Sequence, residues 1–192
     1  LQGYIVNGVR SKSGKNKAAL FQPLTLLDLV VYHRENANLN RISEVKCLYP
    51  YRSIPLDIRK SSIAVFINEV INKSIKEESH AGELCQFIID SFIALDNLVI
   101  GTENFHLIFL LKLSRLLGFG AHNTDEVMGI RATDQGTERI LGLLIKADYL
   151  HSVTLSNSQR RVILDLLLKF YGDHIESFGE MKSIQVLREI MS

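Results

Sequence analysis

The distribution of proline is the feature of this sequence that most constrains its fold. All three prolines, Pro23, Pro50 and Pro55, lie in the N-terminal third of the chain. Proline lacks a backbone N–H and breaks a helix when it lies in the interior, so long helices are favoured only in the remainder. The sequence therefore predicts two differently built parts that meet between Ser53 and Asp57.

The part before this boundary is predicted to be a small antiparallel sheet. Three segments are rich in the β-branched and aromatic residues that strands prefer, namely residues 3–7, 24–33 and 39–49. Residues 34–38 contain two asparagines, which tolerate turn geometry, and are predicted to join the last two strands. Because three strands leave a small barrel open at its edges, we expect further strands upstream of Leu1.

The part after the boundary has apolar residues spaced about 3.6 positions apart, which predicts amphipathic helices. One stripe runs from Phe105 to Leu113, and Gly118 follows in the position of a helix C-cap. Ser156 and Gln159 have the spacing of a capping box, which predicts that another helix begins there.

The predicted fold class is α+β and mostly helical. An incomplete β domain at residues 1–53 is followed by an all-α domain at residues 54–192. No run of eighteen apolar residues occurs, so a membrane span is not predicted. The only cysteines, Cys47 and Cys85, form no CxxC pair, so the sequence predicts neither a disulfide framework nor a cysteine zinc site, and a reducing cytoplasm fits.

The net charge of +1 conceals a strong asymmetry along the chain. Residues 1–60 hold ten Lys or Arg against four Asp or Glu, whereas residues 61–192 hold twelve against seventeen. Cations concentrated at one end of a chain favour a polyanionic partner. The strongest concentration is residues 10–17, where four cations alternate with Ser, Gly and Asn.

We interpret residues 10–17 as a phosphate-binding loop, because cations on a flexible backbone can follow an irregular strand and release its counterions. The alternative is an ordinary solvated hairpin loop. The candidate DNA contacts are Arg10, Lys12, Lys15 and Lys17, extended by Arg34, Arg41, Lys46 and Arg52. Tyr32, Tyr49 and Tyr51 offer faces on which bases can stack, although aromatic residues in strands more often pack in a core.

A second candidate site lies on the apolar stripe that begins at Phe105. Phe105 and Phe109, with Lys112 and Arg115 beside them, would form an apolar groove edged by cations. Such a groove suits an acidic peptide that ends in an apolar residue. The alternative is that the stripe belongs to the core of the helical domain.

Patterns typical of catalysis do not occur in this sequence. The six histidines show no HExxH or comparable ligand spacing, and there is no GxSxG motif. The acidic residues, such as Asp90, Asp96 and Asp165, are dispersed in the way of solvated helix faces. We therefore predict no catalytic residue, no metal site and no cofactor.

Several short segments resemble a known family in their order and spacing. They are LFQPLTLLDL at 20–29, ISEV at 42–45, SIP at 53–55, NFHL at 104–107, LLGF at 116–119, and KS and VL at 182–187. Together they resemble the bacterial RecO family of DNA repair proteins, which are recombination mediators.

The resemblance implies an N-terminal OB-fold that binds single- and double-stranded DNA and a helical domain that binds partner proteins. It implies annealing of complementary strands and help in loading the RecA recombinase, without covalent chemistry. The implied partners are RecR and the C-terminal tail of the single-stranded DNA-binding protein, and the implied location is the bacterial cytoplasm at the nucleoid. Carried over to this sequence, Arg10, Lys12, Lys15 and Lys17 would contact DNA, while Phe105, Phe109, Lys112 and Arg115 would bind the tail.

The chain departs from the family pattern in two places. The opening strands of the OB-fold are absent before Leu1, and the stretch 120–136 is short and lacks the four-cysteine zinc site of some members. The segment 121–124 is therefore a candidate for omitted residues. An adaptor that binds only proteins is the alternative function, and a metal-dependent hydrolase is a third.

Overall fold

The computed structural model of the chain describes residues 3–6, 20–33, 39–75, 81–120, 122–129, 135–151 and 153–191. These residues divide into two compact units, of which the first ends at Tyr51 and the second begins at Arg52. The first contains the strands and the second contains the long helices. The predicted α+β, mostly helical fold class is confirmed.

The first unit contains a three-stranded sheet. Its strands are β1 (Gly3–Val6), β2 (Leu26–Tyr32) and β3 (Leu39–Tyr49), in the spatial order β1-β3-β2. Strands β2 and β3 pair in antiparallel fashion, as predicted, but β1 pairs with β3 in parallel. The prediction of an antiparallel sheet is wrong for β1, because no short hairpin joins β1 to β3 and thereby forces opposite directions.

The second unit is built from helices. They are α1 (Ile58–Ser74), α2 (Ala81–Asn97), a 3-10 turn (Thr102–Asn104), α3 (Phe105–Leu116), α4 (Thr124–Met128), α5 (Gln135–Lys146), α6 (Asn157–His174) and α7 (Ile184–Ile190). Within the described ranges, no helix combines the length and the apolar character needed to cross a lipid bilayer.

Helix α3 lies at the centre of the helical unit. It contacts α1, α2, α5 and α6, and nine of its twelve residues are buried. The predicted apolar stripe is therefore too narrow, since Leu107, Leu110 and Leu111 on the other faces are buried as well. A helix that is apolar on all sides is the expected centre of a helical core.

Local signals mark the ends of several helices, and two of them were predicted from the sequence. Asp57 caps α1 by accepting the N–H groups of Arg59 and Lys60. Ser156 and Gln159 form the predicted capping box at the start of α6. Gly118 follows α3 with a φ of 84°, a left-handed conformation that glycine adopts without steric cost.

Candidate nucleic-acid and partner-binding surfaces

Most of the predicted DNA contacts cannot be placed. Arg10, Lys12, Lys15, Lys17 and Arg34 lie outside the described residues. Of the other three, Arg41 and Lys46 lie on β3 of the first unit, whereas Arg52 is the first residue of the second unit. The structure therefore tests the geometry of the N-terminal basic surface only at β3.

Arg41 lies in a row of exposed side chains across one face of the sheet. It is the cross-strand partner of Tyr32 on β2 and of Ile5 on β1, so the three side chains project from the same face. All three are exposed, and Tyr32 keeps 64% of its surface accessible. We name Ile5, Arg41 and Tyr32 the sheet-face row. It places an aromatic ring beside a guanidinium, which is the pairing that single-stranded nucleic acids favour.

An open depression adjoins the sheet-face row. It is formed where β2 ends and β3 begins.

 The depression measures about 480 Å³ and is lined by Tyr32, His33, Leu39, Asn40 and Arg41. An aromatic ring, an imidazole and a guanidinium thus surround one open space on the first unit. Such a combination offers both stacking and charge to a nucleotide.

Lys46 is less favourably placed for a polyanion. Its cross-strand partner is Asp28, and Glu44 lies between Lys46 and Arg41 along β3. All of these side chains are exposed. Two carboxylates therefore interrupt the positive surface along β3, and Arg41 is the better supported of the two contacts.

Arg52 is bound through its backbone. Its N–H donates to both carboxylate oxygens of Asp96, at 3.1 and 2.9 Å, and the N–H groups of Ser53 and Ile54 donate to Asp96 Oδ1 at 2.8 Å. Lys60 Nζ donates to the backbone oxygen of Asp96 at 2.9 Å. Asp96 thus holds the start of the helical unit, and the side chain of Arg52 is exposed.

The prediction that Asp96 lies on a solvated helix face is wrong. Asp96 is buried, with 4% of its surface exposed. Burial opposes ionisation of its carboxyl group, but the N–H groups of Arg52, Ile54 and Ser53 outweigh this effect and lower its pKa. Its three backbone donors lie more than forty positions away in sequence, so the spacing of acidic residues could not identify this role.

The four residues of the predicted peptide groove all lie on α3. Phe105 and Phe109 are buried, with 1% and 0% of their surface exposed. Phe105 stacks on Tyr149 at 4.1 Å, and Phe109 stacks on Phe87 at 5.3 Å. The two rings therefore belong to the core in this structure, and only the two cations of the group reach solvent.

Lys112 and Arg115 both contact the end of α5 and the residues after it. Lys112 forms an ion pair with Asp148 and lies 5.4 Å from the ring centre of Tyr149. Arg115 Nη2 donates to the backbone oxygen of Ile145 at 2.6 Å. Both cations therefore have partners within the helical unit. That the four residues of the predicted groove bind a peptide stays a prediction.

Sequence reasoning missed a buried polar cluster around Arg160. Arg160 retains only 7% exposure and donates to Asn104, Asn157 and the backbone of Leu155. Asn104 and Arg160 are fifty-six positions apart, so no local pattern identifies the pair. Among the described residues, no group of His, Cys, Asp and Glu is arranged to hold a metal ion.

Comparison with known families covers both units. The family model described as Recombination protein O N terminal matches residues 1–51, and the one described as Recombination protein O C terminal matches residues 55–137. The DNA repair protein RecO of Flavobacterium psychrophilum is 33% identical over 209 aligned positions, which cover 100% of this chain and 87% of the relative. The chain belongs to the RecO family of DNA repair proteins.

Other members of the RecO family show the same extent of similarity. The DNA repair proteins RecO of Phocaeicola vulgatus and Bacteroides fragilis are each 32% identical to this chain. The alignments cover 98% and 97% of this chain and 86% of each relative. The N-terminal family match ends at residue 51, where the first structural unit also ends.

Proposed function

We propose that this RecO family member is a DNA-binding recombination mediator. It binds single- and double-stranded DNA, anneals complementary single strands, and assists RecA loading together with RecR and the single-stranded DNA-binding protein. The observation that carries the proposal is the match of the N-terminal family model to residues 1–51, which hold seven Lys or Arg against three Asp or Glu. No step of this activity requires a covalent bond to be made or broken.

The sheet-face row supports direct binding of DNA. Tyr32 is too exposed to serve mainly as core, and its partner Arg41 supplies a charge at the same face. The adjoining depression is open to an unstacked base. Residues 10–17 would add phosphate contacts, since affinity from cations depends on counterion release rather than on fixed geometry.

The salt dependence of binding tests the proposal. Replacing Arg10, Lys12, Lys15 and Lys17 with Ala should reduce the slope of log affinity for single-stranded DNA against log salt by roughly 3 units, at about 0.7 per phosphate contact. The same variant should anneal complementary oligonucleotides more slowly. Fluorescence anisotropy over a salt series measures the slope.

A matched variant controls for net charge. Arg139, Lys146, Lys169 and Lys182 are exposed cations of the helical unit. Replacing these four with Ala changes the net charge equally and should leave the slope unaltered. Equal slopes in the wild type and the N-terminal variant would contradict the proposed DNA contacts and favour an adaptor that binds only proteins.

The proposed second activity is binding of an acidic, apolar C-terminal tail. Lys112 and Arg115 are the residues of the predicted groove that reach solvent, and they lie on one side of α3 beside residues 145–149. A peptide carboxylate would compete with Asp148 for Lys112, whereas Phe105 and Phe109 would contribute indirectly by fixing the position of α3.

A further inference from the structure

Four aliphatic side chains of the helical unit are unusually exposed. Leu56 and Ile58 keep 86% and 67% of their surface accessible, and Val99 and Ile100 keep 91% and 78%. Among the described residues, Leu150 is the only other large aliphatic residue that is more exposed than Ile58. Exposed aliphatic residues that occur singly need no explanation, whereas a contiguous group of them indicates a binding surface.

Asp96 holds together the two segments that carry these side chains. The backbone N–H of Ile54, two positions before Leu56, donates to Asp96 Oδ1 at 2.8 Å. Asp96 itself lies three positions before Val99. Helix α1 also contacts both α2 and the 3-10 turn, and the second pair of side chains lies on the link between those two elements. We name this group the aliphatic patch, and its members are Leu56, Ile58, Val99 and Ile100.

The backbone that carries Val99 and Ile100 is fixed on both sides. Leu98 is buried, and its N–H donates to the backbone oxygen of Ala94 at 2.9 Å. Gly101 follows with a φ of 78°, a left-handed conformation that allows the sharp turn into the 3-10 turn. This part of the aliphatic patch is therefore presented in a preformed conformation, which lowers the entropic cost of binding.

Two exposed cations lie next to the aliphatic patch along the chain. Arg52 and Arg59 are exposed, and within the described ranges neither of them forms an ion pair. Of the carboxylates nearby, Asp96 is buried and accepts backbone N–H groups. Asp57 is half-buried and accepts two N–H groups at the start of α1. The surface beside the patch therefore attracts carboxylates rather than cations.

Other charges near the aliphatic patch compensate one another. Lys60 is buried, and its Nζ donates to the backbone oxygen of Asp96 at 2.9 Å, so these two opposite charges lie close together. Burial lowers the pKa of Arg160, Glu103 raises it, and Arg59 lowers it further. Glu103 thus offsets the charge of Arg160, whereas the charge of Arg59 stays available to a partner.

We propose that the aliphatic patch docks a partner protein through an apolar segment that also carries carboxylates. The apolar side chains of the segment cover the patch, and its carboxylates pair with Arg52 and Arg59. A second copy of this chain would bring the same two cations to the contact, and like charges oppose that association. Arg52 is also a predicted DNA contact, but a phosphate chain would leave the aliphatic side chains in water.

The aliphatic patch is a different surface from the ones proposed to bind DNA and the tail. It includes neither residues 10–17 nor Lys112 and Arg115. Its failure would therefore leave the proposed function intact, and the failure of the proposed function would leave the patch intact.

The test titrates the full chain, labelled with nitrogen-15, with three short synthetic peptides. The acidic peptide repeats Glu-Glu-Leu-Leu, the basic peptide has Lys in place of Glu, and the polar peptide has Ser in place of Leu. We expect saturable shifts of the amide signals of residues 56–59 and 98–101 with the acidic peptide alone, weakened by salt. Equal binding of the basic or the polar peptide, or displacement of the acidic peptide by single-stranded DNA, would overturn the proposal.

Variants assign the binding to the aliphatic patch. Ile100→Ser should weaken binding of the acidic peptide by about tenfold, because it removes an apolar contact that binding desolvates. Arg59→Gln should weaken it less and reduce its dependence on salt. Val162→Ser on α6 and Arg139→Gln on α5 change exposed residues elsewhere and should bind normally. Equal affinities in Ile100→Ser and Val162→Ser would overturn the site.

Two further measurements identify a different occupant. Arg115→Glu should leave binding of the acidic peptide unchanged, and a loss of binding in this variant would place the peptide at the predicted tail contacts instead. Sedimentation of the free chain should show no association through the patch. A dimer that Ile100→Ser dissociates would show that a second copy occupies the patch and would overturn the proposal.

Discussion

At the scale of single residues, Asp96 shows how a carboxylate can act as a structural clamp. It accepts three successive backbone N–H groups, from Arg52, Ser53 and Ile54. These donors precede the first turn of α1 and have no helical partners of their own. A buried N–H without an acceptor is costly, so the carboxylate stabilises the chain where the helical unit begins.

Replacing Asp96 tests this clamp. Asp96→Ala should lower the free energy of unfolding by about 2–4 kcal/mol, because three donors lose their acceptor. Asp90→Ala, at an exposed position on the same helix, should cost less than about 0.5 kcal/mol. Urea unfolding monitored by circular dichroism measures both, and equal costs would contradict the clamp.

The clamp should also depend on pH in a defined direction. The pKa of Asp96 in the folded protein is lower than the ordinary value of 3.8. The stabilisation by its carboxylate is therefore fully present above that value. The contribution is lost as the pH falls through the folded pKa. The stability difference between wild type and Asp96→Asn should therefore be constant near neutral pH and shrink under acid. A difference that grows below pH 4 would refute this assignment.

Tyr32 is the residue at which base stacking can be separated from charge. Tyr32→Leu should weaken binding of single-stranded DNA by roughly tenfold while leaving the salt slope unchanged, because stacking releases no counterions. Tyr4 lies on β1 directly before Ile5, is exposed, and projects from the opposite face of the sheet. Tyr4→Leu is therefore the matched control, and an equal loss in both variants would argue against stacking at Tyr32.

At the scale of elements, helix α1 holds the start of α7. Glu69 on α1 accepts the N–H groups of Lys182 and Ser183, each at 2.8 Å, and the hydroxyl of Ser183 at 2.6 Å. Lys73, one turn later, donates to the backbone oxygens of Phe178 and Glu180. Helix α7 has no side-chain cap of its own at Ser183, so Glu69 supplies the cap from another helix.

Removing this cap should loosen α7 selectively. Glu69→Ala is expected to destabilise the protein by about 1 kcal/mol, as the loss of a helix cap does. Amides of residues 184–190 should exchange with solvent faster, while those of α3 change little. Glu83→Ala, at an exposed position on α2, is the control. Unchanged exchange in residues 184–190 would show that packing alone holds α7.

At the scale of the whole molecule, opposite charges are divided along the chain. Residues 1–60 carry an excess of six positive charges, and residues 61–192 carry an excess of five negative charges. An acidic remainder repels DNA, so the N-terminal part should carry most of the contacts to phosphate. The proposed DNA and tail contacts lie on different parts of the chain and should be separable.

Two variants test this separation. The N-terminal variant, with Ala at positions 10, 12, 15 and 17, should lose DNA affinity and keep tail-peptide binding. Arg115→Glu should weaken binding of the acidic tail peptide by repulsion and keep DNA binding. Calorimetry with a synthetic tail peptide and anisotropy with DNA measure the two activities. Tail binding unaffected by Arg115→Glu would remove Arg115 from the proposed contacts.

Local patterns in the sequence determined where many of the helices and strands of this protein begin and end. The last proline marks the transition to helices, β3 spans residues 39–49 as predicted, and Asp57, Ser156 and Gly118 mark helix ends. Each of these signals depends on residues within a few positions of one another. The family resemblance likewise rests on short segments in a fixed order, and comparison with relatives confirmed it.

Only the tertiary structure decided which polar groups are buried and what they bind. The parallel direction of β1, the carboxylate clamp of Asp96 and the Arg160 cluster all depend on partners dozens of positions away. The spacing of Phe105 and Phe109 suits either a groove or a core, and they belong to the core because other helices cover that face. Burial depends on the packing of distant segments, and no local spacing of residues encodes it.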